Sequence, residues 1–345
     1  MKEIIVNTGG SESSIYVGYR WESVEKLLPE KGVIIITDYN LYDLYGERFP
    51  AFPVLKTEPG EKTKQLDTIK LLAEELLKSG FDRSGFILGI GGGVVCDITG
   101  FLASVFMRGV SFGFVSTSLL SQVDASTGGK NGVNIGEIKN VIGNFRQPEF
   151  VICDTAMLET LPEDEYFSGL AELIKTGITG DVSIIELLED HHKDVMKRDL
   201  DLLSDLVARS VRYKASVVSM DEKETGPRRV LNFGHTFGHA IELHLGIKHG
   251  FAVASGMELA AAWSCDLGFI DKQEYGRIIR ILNKYNLISD TVIPPGIIKE
   301  LISHDKKKAG GDISFVFIEG FGKPLVKRLP VTEVIDFYKR NTKGN

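Results

Sequence analysis

Residues 86–105, FILGIGGGVVCDITGFLASV, contain a change of local structure. Phe86, Ile87, Leu88 and Ile90 make a short apolar run bounded by glycine, which predicts a buried strand. Gly89-Ile90-Gly91-Gly92-Gly93 turns the chain, and the apolar stretch from Val94 opens a helix. Glycines at such a turn let backbone N–H groups approach a pyrophosphate at the positive end of the helix. The spacing departs from a strict G-x-G-x-x-G fingerprint, and glycine turns also serve as plain connections. Taken by itself, this turn leaves nucleotide binding open. Asp97 lies one helical turn into the same helix, where a carboxylate can simply be solvated.

Working outward, residues 33–37 (VIIIT) predict another strand, as do 110–115 and 150–153. Asp38 and Asn40 follow the first of these, where a ribose-binding acid falls or where a polar turn stands. Between the strands, residues 63–79 are amphipathic at helical spacing, with Leu66, Ile69, Leu72, Leu76 and Leu77 on one side. Strands alternating with helices predict a mostly parallel sheet. From about residue 155 the pattern becomes helical, near 163–178, 182–191, 199–221, 231–245, 250–268 and 271–285, with a small hairpin over 313–318 and 324–329. The expected division is an α/β domain over 1–155 and a mainly α-helical domain over 156–345, with a cleft between them as the natural ligand site.

A chain of 345 residues is long for one core, which agrees with two domains. Its 43% apolar and 25% charged residues are those of a globular protein. No apolar run reaches the roughly 18 residues that cross a bilayer, and the N-terminus lacks a secretory pattern, so a cytoplasmic protein without membrane partners is expected. Net charge is −7, with no basic stripe of the kind that binds nucleic acid. Cys96, Cys153 and Cys265 are odd in number and widely spaced, which argues against disulfides and predicts small buried hydrophobes.

Residues 231–241 read LNFGHTFGHAI. Read as one helix, they place Asn232, His235 and His239 on a single face, with Gly234 and Gly238 as a smooth strip for close packing. The stretch has no Lys, Arg, Asp or Glu, so the stripe is expected to be buried, and buried polar groups need partners. Two histidines four apart can share a metal, or each can bond a carbonyl in the core. Glu172 and His249 are further candidates, since one carboxylate and two imidazoles leave an open coordination position. His191, His192, His244 and His304 read as surface or helix-end residues.

Five blocks now stand in order: GGGVVCDITGFLASVFMRG, SQVDASTGGKNGVNIGEIKNVIGNFRQP, SGLAELIKTG, DEKETGPRRVLNFGHTFGHAIE and SHDKKKAGG. Together they resemble the 3-dehydroquinate synthase family from about residue 33 to residue 320. The resemblance implies a Rossmann-like NAD-binding domain, a helical metal- and substrate-binding domain, and a homodimer in which Arg108 reaches the neighbouring site. It implies Glu172, His235 and His249 as ligands of a divalent metal, zinc or cobalt, and makes His239 a substrate-facing group instead of the second ligand. Implied NAD contacts are Asp38, Asn40, Glu61, Lys64, Gly92, Gly93, Asp97, Thr117, Ser118, Asp124, Lys130 and Lys139. Implied substrate contacts are Arg108, Lys130, Asn140, Lys175, Lys214, Arg228, Asn232, His239 and Lys306, of which His239, Lys130, Asn140, Lys175 and Lys214 would be catalytic.

Departures from the family pattern are Ser116-Thr117-Ser118 where Pro-Thr-Thr is common, Phe251 where an acid usually follows His-Gly, and a shortened stretch from His239 to His249. The implied substrate is 3-deoxy-D-arabino-heptulosonate 7-phosphate, an anionic sugar phosphate. The implied route is oxidation at carbon 5 by NAD, loss of phosphate, return of the hydride and closure to 3-dehydroquinate. Rival readings are another sugar-phosphate cyclase, a metal-dependent NAD alcohol dehydrogenase, and a non-catalytic NAD-binding regulator.

Overall fold

The computed structural model describes residues 1–136, 138–288, 293–304 and 311–342. They group into two compact units, one of residues 1–161 with 198–223, the other of 162–197 with the chain from 224 onward. The expected division at residue 155 is modified accordingly. The helix Leu200–Met220, assigned from sequence to the second domain, belongs to the first unit. There Lys2 pairs with Asp205 at 2.6 Å, and Asn7 N donates to Ser219 Oγ at 3.2 Å, tying the helix to the first strand.

The first unit is built on a seven-stranded sheet. Its order is Lys2–Asn7, Glu12–Val17, Phe150–Cys153, Ser111–Ser116, Phe86–Gly91, Val33–Asp38 and Val54–Thr57. Every pairing is parallel except the N-terminal hairpin. All six residues of Phe86–Gly91 are buried, as a central strand covered on both faces requires. Leu66–Lys78 forms the predicted helix, with Ile69, Leu72 and Leu76 in the core. Leu66 and Leu77, expected on the same side, are exposed, because they flank the packed stripe. Sequence reading also missed the antiparallel hairpin of Lys130–Ile135 and Ile138–Phe145.

Strand order sets where ligands can bind. From Val33–Asp38 the chain passes to one side of the sheet, and from the adjacent Phe86–Gly91 to the other. The carboxyl ends of those strands therefore flank a topological switch point. Asp38 caps the helix Tyr39–Tyr45 there, accepting from Leu41 N at 2.9 Å, a cap that stabilises by about 1 kcal/mol.

The second unit is helical: Glu163–Thr179, Ser183–Asp190, His192–Met196, His235–Leu245, His249–Asp266, Lys272–Lys284, Pro295–His304 and Val331–Thr342. The hairpin Asp312–Ile318/Pro324–Pro330 completes it, close to prediction. Trp263 stacks on Phe337 at 4.5 Å and meets Phe315 edge-on, joining helices to hairpin. No helix among the described residues is long and apolar enough to cross a membrane. Cys96 and Cys153 are buried, and desolvation raises both thiols above the usual range, while Cys265 is half-buried.

Candidate active site

The sequence 231–241 is not one helix. Pro227–Asn232 forms a 3-10 turn, Gly234 takes φ +80°, and the helix starts at His235. Asn232 therefore leaves the predicted face, and its side chain donates to Glu224. A left-handed residue interrupts helical propagation, and glycine adopts it without the Cβ clash of other residues. The stripe is also less buried than expected: His235 is largely covered, whereas His239 is exposed.

Three helices each deliver one donor to the same point. Glu172, on Glu163–Thr179, is 1% exposed. His235 and His249 stand at the first residues of their helices, with Nε2 atoms 3.8 and 3.4 Å from Glu172 Oε1. Donor atoms of the three residues all lie within 4.8 Å of one another. His235 Nδ1 donates to Phe233 O at 3.2 Å, and His249 Nδ1 donates to Glu242 Oε2 at 3.0 Å. Each imidazole thus has its far nitrogen engaged and its near one turned inward. A carboxylate with two such imidazoles is a donor set that fits zinc or cobalt with a coordination position left open. His239 is not one of those converging donors, although its ring lies beside them, its centroid 5.1 Å from that of His235 and 6.0 Å from that of His249.

Glycines let these helices approach backbone to backbone. A Cβ on Gly250, next to His249, would lie 2.1 Å from the carbonyl oxygen of Ser168, one turn before Glu172. A Cβ on Gly256 would lie 1.9 Å from Gly234 O, beside His235. Gly238 faces the backbone of Val253 at 3.0 Å. The close-packing role read for Gly238 holds, and Gly250 and Gly256 share it unforeseen.

Charge around the cluster is arranged in two opposite ways. Lys175, 2% exposed, pairs with Glu172. Burial, reinforced by the Lys175 ammonium, holds His235 well below its ordinary pKa and so neutral, the form that ligates a metal. Burial acts in the same direction on His249, but hydrogen bonds to Glu172 and Glu242 prevail and push it up to about 9.

In the first unit, the implied cofactor and substrate residues form a second network. Lys64, 4% exposed, pairs with Asp97 and donates to Asn140. Burial pushes the Asp97 carboxyl up, opposed by Lys64. Asn134, absent from the sequence reading, donates to Glu61 Oε1 at 2.7 Å and accepts from Asn140 N at 2.8 Å. Its signal would have been an asparagine set between the apolar Val133 and Ile135. Lys214 pairs with Asp124. Ser116, the departure from proline, bonds Ser121 Oγ at 2.5 Å, and Thr117 and Ser118 follow at the carboxyl end of that strand. Gly92 and Gly93 lie at the neighbouring strand end, and Asp38 at the next, where burial pushes its carboxyl up against the bonds from Leu41 and Asn40. Asn40, Lys130 and Lys139 are exposed, as is Arg108, whose φ is +68° in a turn with Met107 at +47° and Gly109 at +121°. Arg228, in the second unit, is buried. Lys306 lies outside the described residues.

Comparison with known proteins now decides the family. The model for the 3-dehydroquinate synthase N-terminal region matches residues 54–168, and that for the C-terminal region matches 169–308. The chain belongs to the 3-dehydroquinate synthase family. A 3-dehydroquinate synthase of Acinetobacter baylyi is 40% identical over 343 residues, 95% of this chain and 95% of that one. A solved 2-deoxy-scyllo-inosose synthase, complexed with carbaglucose-6-phosphate, NAD+ and Co2+, has a TM-score of 0.84 at 25% identity, covering 98% of this chain and 100% of that chain. A 2-epi-5-epi-valiolone synthase from Streptomyces hygroscopicus, at TM-score 0.87 and 24% identity, covers 99% and 97% and shows the shared fold. The α/β-plus-helical fold and the family expected from the five sequence blocks both stand. Within this 3-dehydroquinate synthase family member, the donors that converge are Glu172, His235 and His249, and His239 is not among them.

Proposed function

We propose that this chain is a phosphorus–oxygen lyase converting 3-deoxy-D-arabino-heptulosonate 7-phosphate to 3-dehydroquinate and phosphate, as a cytoplasmic homodimer. The observation that carries the reading is the convergence of Glu172, His235 and His249 in a chain matched by both segments of the family. Those residues would hold the divalent cation, zinc or cobalt. Asp38, Asn40, Glu61, Lys64, Gly92, Gly93, Asp97, Thr117, Ser118, Asp124, Lys130 and Lys139 would hold NAD, and the position of Asp38, Asn40, Gly92, Gly93, Thr117 and Ser118 at the carboxyl ends of three parallel strands supports this. A related cyclase solved with NAD+ and Co2+ supports the pairing of cofactor and metal. When bound, the cation supplies Lewis acidity at substrate hydroxyls, and NAD supplies a reversible hydride acceptor.

The chain's own side chains have the remaining tasks. Arg108, Lys130, Lys175, Lys214 and Arg228 offer cations for a phosphate and a carboxylate, which lets a protein of net charge −7 bind an anion. Asn232, oriented by Glu224, and Asn140, whose side-chain oxygen accepts from Lys64, present amides to substrate hydroxyls. His239, exposed beside the metal group, can pass a proton between its two ring nitrogens and a substrate oxygen. Exposure of Arg108 in its left-handed turn supports its service to a neighbouring subunit.

Phosphate release from the heptulosonate phosphate, measured with NAD and with or without chelator, tests the reading. Release is expected only in metal-replete enzyme, with no lasting NADH absorbance, the mark that separates a cyclase from a dehydrogenase. Absence of release from metal-replete enzyme would sink the function. His235→Ala is expected to abolish release, and retained release would remove His235 from the ligand set.

A further inference from the structure

We infer that Glu242 is a positioning residue that fixes the tautomer and ring angle of His249 for metal binding; this rests on the metal-centre reading above. The helix His235–Leu245 brings three groups to one side at successive helical intervals: His235, His239 and Glu242. Glu242 is only 11% exposed, and its Oε2 lies 3.0 Å from His249 Nδ1. A carboxylate accepts, so the proton that stays on the ring when it becomes neutral to bind a metal is the one on Nδ1, and the lone pair then falls on Nε2, the nitrogen facing Glu172 3.4 Å away.

Glu242 is not a ligand in disguise. The two nitrogens of an imidazole diverge, so a group on Nδ1 stands behind the ring, away from an ion at Nε2. The two histidines are therefore held differently. His235 leans on a main-chain carbonyl, that of Phe233, which no side-chain change removes. His249 leans on a side chain from another helix. The carboxylate on His249 Nδ1 comes from the neighbouring helix, and the residue two after His249 is the apolar Phe251. Partners of this kind orient the ring and raise its basicity as a ligand, and their loss costs about 10–100-fold in metal affinity.

The test is a chelator-competition titration of Co2+ into the metal-free full chain, with the Co2+ absorption spectrum and thermal melting recorded alongside. Wild type, Glu242→Gln, Glu242→Ala and His249→Ala are compared. Glu242→Gln retains an acceptor without the charge, so it is expected to weaken binding about 10-fold, and Glu242→Ala about 100-fold. The Co2+ spectrum should shift in both while the fold is retained. A purely structural tie between helices would lower the melting temperature without moving affinity or spectrum, and that result would overturn the inference. So would wild-type affinity in Glu242→Ala. A wild-type chain that fails to bind Co2+ would defeat the metal-centre reading itself, a different failure. If Glu242→Ala does not fold, the isosteric Glu242→Gln decides.

Discussion

Gly256→Ala should separate the two helices that carry His235 and His249, and should do so by a calculable amount. An added Cβ would sit 1.9 Å from Gly234 O, 2.8 Å from Gly238 N and 2.9 Å from Gly234 C. All three are backbone atoms, so no rotamer change relieves the clash. Ordinary contact begins near 3.4 Å, and 3.4 minus 1.9 leaves 1.5 Å to be found by moving one helix. Metal–ligand distances tolerate only about 0.2 Å. A displacement of this size next to His235 should cost about 100-fold or more in Co2+ affinity. Overpacking should also cost about 1–3 kcal/mol of stability. Competition titration and urea unfolding measure these effects. Gly276→Ala is the control: it also lies in a helix, and its added Cβ would meet only the far end of the Arg280 side chain, at 3.2 Å. It should leave affinity unchanged and raise stability by up to about 1 kcal/mol. If Gly256→Ala binds Co2+ as tightly as wild type, backbone contact between these helices does not set the metal geometry.

Two further outcomes follow from other parts of the molecule. Asn134→Ala removes the amide that joins Glu61 to Asn140, two hydrogen bonds to half-buried or exposed groups, at a cost of about 0.5–1.5 kcal/mol each. Calorimetric titration should show NAD binding weakened about 10-fold, and unchanged NAD affinity would detach Asn134 from the cofactor network. Asp205→Asn tests the tie between the first strand and the helix Leu200–Met220. Despite a desolvation penalty, hydrogen bonds from Lys2 and Arg209 hold the Asp205 carboxyl below the ordinary aspartate range. A carboxylate with a depressed folded pKa stabilises above the unfolded value and loses that contribution as pH falls through the folded one. The variant should therefore be less stable than wild type near neutrality, by under about 1 kcal/mol for so accessible a pair, and the gap should close below about pH 4. A gap that widens in acid would contradict the assignment.

Central strands were legible because burial on both faces writes a continuous apolar run. The observed Phe86–Gly91 and Val33–Asp38 each extend one residue beyond the expected strand. The N-terminal hairpin went unread although its residues alternate: Ile4 and Val6 are buried while Ile5 is exposed. Such short alternation gains meaning only from its partner, here Glu12–Val17 and, beyond it, Phe150–Cys153. The hairpin over 130–145 was hidden for the opposite reason. Ile135, Ile138, Val141 and Phe145 are exposed, so its apolar residues follow no burial period. The helix Leu200–Met220 was legible as a helix but not as part of the first unit, because Lys2–Asp205 links residues 203 apart.

The cluster of Glu172, His235 and His249 shows where local spacing stops being informative. Periodicity correctly puts His235 and His239 on one face, yet a face holds a metal pair only if both side chains reach the same point. Here the third donor comes from a separate helix, and what brings it near is the absence of side chains at Gly250 and Gly256. Glycine inside a helix costs about 1 kcal/mol relative to alanine. The sequence HGFAVASGM places two glycines in the helix that begins at His249, and each faces backbone from a helix or turn adjoining another donor. The helical propensity given up at those positions is offset by contacts that a Cβ would forbid. Read as crossing points, they account for the approach of His249 to Glu172: His249 sits beside one crossing, and Glu172 lies one turn from Ser168, the residue that crossing touches.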